Sequence, residues 1–159
     1  MSTEFEVPIP TIDRSIYAMP AFATLTVADI ETSVRWYTEG LGFVVLASMP
    51  AADGTPMLVH LRRYRHQDLL IVPARDASEP TGAGPRLSFA APDMTEHEAA
   101  ADRASALGLG DVEGPAPTPW FTVDTTFTDP DGYEVVFTSR SDEAPPREWN
   151  DAVRASLVE

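Results

Sequence analysis

The chain has 159 residues, enough for one domain or for two small modules that share a core. Its 11 basic residues, all arginine, stand against 25 acidic ones, and the net charge of -14 argues against a basic surface for nucleic acid or anionic membrane. There is no cysteine, which excludes disulfides, thiol nucleophiles and thiolate metal sites, and no apolar run approaches the ~20 residues that span a bilayer.

The first residues, Met1 to Glu6, lack the basic start and apolar core of a secretory leader, so a cytoplasmic protein is expected. Residues 1–20 contain proline, show no period and read as an N-terminal arm. Phe22 to Val27 alternates as a strand does, and Asp29 is placed to cap the helix carried by Ile30, Val34, Tyr37 and Leu41. Gly40 and Gly42 end that helix. Strands are predicted at Phe43–Leu46, Met57–Arg62 and Asp68–Val72, with Asp53-Gly54 as a hairpin turn. The first unit therefore covers 21–75, and a linker rich in Gly, Pro and Ala covers 76–85.

The same order then returns over 86–140. Arg86–Ala91 is a strand, and Thr95 with Glu98 reads as a capping box for a helix that runs through its alanines to Leu107 and stops at Gly108. Asp111–Glu113 is a short strand and Phe121–Phe127 a Thr-rich one. Asp129-Pro130-Asp131-Gly132 is a turn, with proline presetting φ and glycine supplying a positive one. In the strand after it, Tyr133, Val135 and Phe137 share one face, while Glu134, Val136 and Thr138 share the other. Residues 141–159 form a tail with an amphipathic stretch around Trp149, Val153 and Leu157. The chain thus reads strand–helix–strand–strand–strand twice, with Asp29 and Asp93 at matching points 64 residues apart. The expected fold is α+β, two tandem βαβββ units curling their antiparallel sheets into a shared cup.

Leu25-Thr26-Val27-Ala28-Asp29-Ile30, Trp36-Tyr37 with Leu41-Gly42-Phe43, Phe89-Ala90-Ala91-Pro92-Asp93 and Asp129-Pro130-Asp131-Gly132-Tyr133, spread over roughly 21–140, carry a family likeness. The combination resembles the vicinal oxygen chelate superfamily, which includes glyoxalase I, extradiol dioxygenases, fosfomycin-resistance enzymes and bleomycin-resistance proteins. Metal-dependent members place His, Glu or Gln at cup-facing positions of the first and last strand of each unit. Those positions map here to Phe22, Leu70, Arg86 and Val136. Phenyl and alkyl groups offer no lone pair, and arginine brings a fixed positive charge, so no metal and no cofactor is expected. The resemblance then implies the metal-free bleomycin-resistance type: homodimeric proteins that bind a hydrophobic or aromatic small molecule and sequester it without chemistry. The competing class is an enzyme of the same fold using Glu134, Asp68 or His60 as acid–base groups, or a metal site placed elsewhere.

The candidate ligand-binding residues are Phe22, Thr24, His60, Leu70, Arg86, Ser88, Trp120, Glu134 and Val136; no catalytic residue is assigned. They form a mostly apolar concavity with a few polar fixtures, the usual make-up of a small-molecule pocket. Arg86 either anchors an anionic group of a ligand or pairs internally with Glu134 or Asp68, since an unpaired buried charge is costly. Trp120 is either a stacking wall or a loop residue packed on the fold's own edge. His60 is either a polar contact in the cup or a half-buried strand histidine. Trp36 and Tyr37 read as core. The basic run Arg62–His66 reads as a solvated hairpin end or a rim that attracts anions, and His97 as an exposed helix residue. No P-loop, nucleophile elbow or His-Glu-x-x-His helix is present.

Overall fold

The structure, a computed structural model, describes residues 12–15, 19, 21–79, 82, 84 and 86–156. The expectations for Met1–Glu6, most of the N-terminal arm, part of the 76–85 linker and Leu157 lie outside the described residues. The first unit runs β1 (Ala23–Val27), α1 (Ile30–Arg35, continued by a π-helical turn over Trp36–Gly40), β2 (Val44–Pro50), β3 (Pro56–Arg63) and β4 (Gln67–Pro73). The second runs β5 (Leu87–Ala90), α2 (Met94–Leu107), β6 (Asp111–Pro117), β7 (Thr122–Thr128) and β8 (Glu134–Arg140), followed by α3 (Arg147–Ser156). The sheets have matching strand orders, β1-β4-β3-β2 and β5-β8-β7-β6.

The order of elements is the one expected, but each sheet is mixed rather than antiparallel. β1 lies parallel to β4, and β5 to β8, while the remaining pairs are antiparallel. The helical crossover restarts the chain at the far edge of the sheet in the direction of the first strand. A three-strand meander from there ends alongside that strand, running the same way.

Alternate strand residues face the helices, as a period of two demands. Leu25 and Val27, Val59 and Leu61, Leu69 and Ile71, and Val135 and Phe137 are all buried. With Trp36, Tyr37, Phe43, Phe127 and the alanines Ala100 and Ala104 they form one cluster that draws on both units. Trp36 and Tyr37 are fully buried, in keeping with their reading as core, and their rings meet edge to face at 4.9 Å. Asp29 caps α1, accepting from Thr32 N at 2.7 Å. The α2 cap is Asp93, accepting from Glu96 N at 3.1 Å. It replaces the expected Thr95, so the helix begins two residues earlier, at Met94. Gly108 ends α2 in left-handed geometry, as read from the sequence.

His97, expected on the surface, is fully buried. It stands three and seven residues before Ala100 and Ala104, on the inward stripe of α2. Its Nδ1 lies 2.7 Å from Thr125 Oγ1 and its Nε2 lies 3.0 Å from Ser139 Oγ, so two hydroxyls satisfy the ring. Arg62 and Arg63, expected at a solvated hairpin end, are each 1% exposed. Arg62 Nη1 donates to the carbonyls of Asp13 and Ser15 at 2.8 and 2.9 Å, so the N-terminal segment covers it.

The two units are clasped reciprocally, each by the turn between its last two strands. In the second unit, Asp129 Oδ1 accepts from the amides of Asp131 and Tyr133 at 2.9 and 2.8 Å, which folds the turn onto itself. Asp131 then reaches the start of α1, accepting from Ala28 N at 2.8 Å and Ser33 Oγ at 3.2 Å. Tyr37 Oη donates to Asp129 Oδ2 at 2.9 Å, and Tyr133 Oη donates to Thr26 O at 3.0 Å. A Cβ at Gly82 would fall 2.0 Å from Asp131 O, so the linker passes over this turn only as glycine. In the first unit, Arg63 reaches the start of α2. Its Nη2 donates to Glu96 Oε1 at 2.8 Å, and its guanidinium lies 3.8 Å from the centre of the Phe137 ring. Gln67 Nε2 donates to Ala90 O at 2.9 Å beside it.

Two outcomes follow from these buried groups. Arg63→Met strands Glu96 and should cost about 3–5 kcal/mol in urea unfolding, whereas the double variant with Glu96→Leu should regain most of that; additive losses would mean that the pair is not coupled. Burial holds the His97 imidazole below its ordinary value of 6.5, so the unfolded chain takes up the proton more readily. The contribution of His97 is therefore complete above 6.5 and is lost as pH falls through the interval beneath it, at no more than about 1.4 kcal/mol per pH unit. The fall in urea midpoint between neutral and mildly acidic pH should be smaller for His97→Gln than for the parent chain.

Candidate functional site

Residues that alternate with the core positions lie on the faces turned away from the helices. Strand pairing sets them in rows. In the first sheet Thr24, Leu70, His60 and Ala47 stand side by side across β1, β4, β3 and β2. In the second, Ser88, Val136, Thr126 and Glu113 stand side by side across β5, β8, β7 and β6. These two rows are the same row of the repeated unit. They bring together six of the predicted residues or their direct neighbours: Thr24, Leu70 and His60 on one sheet, Ser88 and Val136 on the other, with Glu134 two residues before Val136.

Phe22 and Arg86 lie just before β1 and β5, at matching points of the two units. Phe22 is 50% exposed. A cavity of about 360 Å³ at the seam between the sheets is lined by Phe22, His66, Asp68, Ser88 and Ala90 among others, so β1, β4 and β5 meet there. Arg86 pairs with Glu134, Nε to Oε2 at 2.8 Å, with both side chains about half exposed. The internal pairing weighed for Arg86 is thus formed, at the surface rather than in a buried site. Val136 is only 1% exposed. Trp120 lies in the turn between β6 and β7, 58% exposed, and lines neither the seam cavity nor the larger one described below.

His60 is anchored from below. Its Nε2 lies 2.7 Å from Asp68 Oδ1, and Arg62 Nε donates to that same oxygen at 2.7 Å. Asp68 and Arg62 are buried, while 17% of the His60 side chain remains exposed. Asp68 is named in the sequence only as one charged group among several; its grip on His60 is legible from the hairpin, because a turn centred on Arg65 puts Arg62 opposite Asp68 and His60 opposite Leu70. On the second sheet Asp124 was not anticipated. Its Oδ1 accepts from Thr138 Oγ1 at 2.7 Å and Thr122 Oγ1 at 2.9 Å. The alternation of Thr122, Asp124, Thr126 and Thr128 along one strand face is the signal that marks it.

The residues do not fit a divalent metal. Neither Phe22, Leu70, Arg86 and Val136 nor the row neighbours Thr24, Leu70, Ser88 and Val136 offer an imidazole or a carboxylate. The nearest carboxylates, Asp68 and Glu134, are each held by arginine. Among the described residues no group of three or more His, Asp or Glu is set to hold an ion.

A larger cavity, about 810 Å³, lies on the opposite, helix-bearing side of the first sheet. Ile30, Val34 and Thr38 of the first helix wall it against Val45, Ser48 and Val59. It opens because α1 is short and leaves the ends of β2 and β3 uncovered, and it contains none of the predicted site residues. No helix among the described residues is long and apolar enough to cross a membrane.

Comparison with known proteins agrees with this geometry. Among curated proteins none matches. An antibiotic binding protein, TnmS3, from Streptomyces sp. CB03234 is similar in structure, with a TM-score of 0.58 and 25% identity over 80% of this chain and 98% of that one. A glyoxalase/bleomycin resistance protein from the same source has a TM-score of 0.56 and 25% identity, covering 74% of this chain and 97% of its own. A glyoxylase/bleomycin resistance protein/dioxygenase domain from Frankia sp. EAN1pec, 23% identical, shares the fold with a TM-score of 0.60 over 79% of this chain and 99% of that one. The model of one family matches residues 20–137, nearly the whole of both units, and the chain belongs to that family, the glyoxalase/bleomycin resistance protein/dioxygenase superfamily.

Proposed function

We propose that this protein is a metal-free small-molecule binder that acts by sequestration, taking an apolar, partly aromatic compound such as an antibiotic or other natural product onto the face formed by the two rows. The carrying observation is the chemistry of the four positions next to the seam. Thr24, Leu70 and Ser88 offer alkyl surface and hydroxyls, Val136 is buried, and none of the four can ligate a catalytic metal. The likeness to TnmS3, described as an antibiotic binding protein, supports the reading. Phe22, Leu70 and Trp120 supply apolar contact in this proposal, while His60, Arg86, Ser88 and Glu134 supply polar contact. The protein works as a homodimer in the cytoplasm, with neither nucleic acid nor membrane as partner; the net charge of -14 and the exposed apolar residues Phe22 and Met49 are consistent with that.

A second reading, an enzyme of the same superfamily, draws on one observation, the imidazole of His60 held by the Asp68 carboxylate. The two readings part on turnover.

Titration with a panel of glycopeptide, enediyne and aromatic polyketide compounds should quench tryptophan fluorescence and saturate at one ligand per site. Leu70→Arg should weaken binding by at least about tenfold, since it sets a charge in the middle of the apolar row. Compounds should be recovered unchanged, and purified protein should hold no stoichiometric divalent ion. One tightly held ion per chain sinks the metal-free reading, and a converted compound moves the protein to the enzyme class.

A further inference from the structure

The described fold fixes the His60 imidazole in orientation without using both of its nitrogens. His97 spends both on the core, through Thr125 and Ser139. His60 spends only Nε2, on Asp68, and Nδ1 has no hydrogen-bond partner among the described residues. The Asp68 oxygen that meets it also receives Arg62 Nε at 2.7 Å, so Asp68 is a carboxylate and accepts only. The neutral ring must therefore carry its hydrogen on Nε2. Nδ1 is left with a lone pair, held in place by a buried ion pair. That side chain stands in the row between Leu70 and Ala47, with Leu58 two residues along on the same face.

We infer that His60 Nδ1 is the hydrogen-bond acceptor of the ligand face and selects, among apolar aromatic compounds, those that carry a neutral hydroxyl of phenol or enol type. The inference rests on the binding function proposed above and names the chemistry that function recognises. A carboxylate or phosphate brings no hydrogen to a lone pair. An ammonium would have to leave water for an apolar row with the Arg62 guanidinium one step away. A phenol supplies both the donor and the flat apolar body that Leu70, Leu58 and Ala47 accommodate, and its acidity strengthens the bond to imidazole.

The test uses 7-hydroxy-4-methylcoumarin and its 7-methoxy counterpart, equal in shape and different in the one hydrogen. The parent chain should bind the hydroxy compound about tenfold more tightly than the methoxy compound. His60→Phe should abolish that preference, and a near-UV circular dichroism spectrum like the parent's shows that the variant is folded. In parent protein labelled with 15N-histidine, the Nδ1 resonance of His60 should move on adding the hydroxy compound and stay in place with the methoxy one. Equal affinity of the parent for both probes, or a preference that survives His60→Phe, overturns the role of His60 and leaves the binding function standing. Failure of the parent to bind either probe overturns the role of His60 as a selector of such compounds, and failure to bind the whole antibiotic panel as well sinks the binding function itself.

Discussion

The structure depends on a reciprocal clasp between its halves. Each unit alone is a four-stranded sheet with a helix over one face, too small to bury that face completely. What joins them is the turn before the last strand of each unit, which docks on the strand-to-helix junction of the other. The two docks use opposite chemistry. Asp131 brings a carboxylate to amide and hydroxyl donors at the start of α1, while Arg63 brings a guanidinium to Glu96 and a carbonyl at the start of α2. An anion at a helix N-terminus is favoured by the orphan amide groups there. The cation needs an added acid, and Glu96 in the first turn of α2 supplies it.

This arrangement sets the site as well as the stability. Because both helices sit on one side of their sheets and share a core, the two remaining faces are left on the other side, with β1 and β5 closest together. The row that holds Leu70 and the row that holds Val136 are positioned by the same pairing that buries Leu69, Ile71, Val135 and Phe137. Core and site are thus alternate residues of the same strands, and their registers cannot be altered separately.

Much of this was legible in the amino-acid order. The repeat shows in two aspartates 64 residues apart; Asp29 caps as read, and Asp93 caps where Thr95 was expected. The two faces of β8 follow from simple alternation, and the Asp-Pro-Asp-Gly turn is where the composition puts it. What escaped sequence reading are the groups whose surroundings come from the other unit or from the arm. Arg62 and Arg63 look like a solvated cluster because their neighbours in sequence are Tyr64, Arg65 and His66; their partners are Asp13, Ser15 and Glu96. His97 looks exposed in an alanine-rich helix, and only the hydroxyls of Thr125 and Ser139 make its burial tolerable. The parallel pairing of β1 with β4 has no local signature, since it is set by where the crossover lands.

The matching rows of the two sheets carry one last consequence. The backbone repeat gives the two halves the same strand order, yet His60 stands where the other half has Thr126, and Ala47 where it has Glu113. One wall is aliphatic with a single imidazole; the other is hydroxylic and acidic, organised around Asp124. A cavity with true twofold symmetry would accept a molecule in two equivalent poses. Here the side chains break the symmetry that the backbone keeps, so the two poses of a compound lying across both sheets would differ in energy.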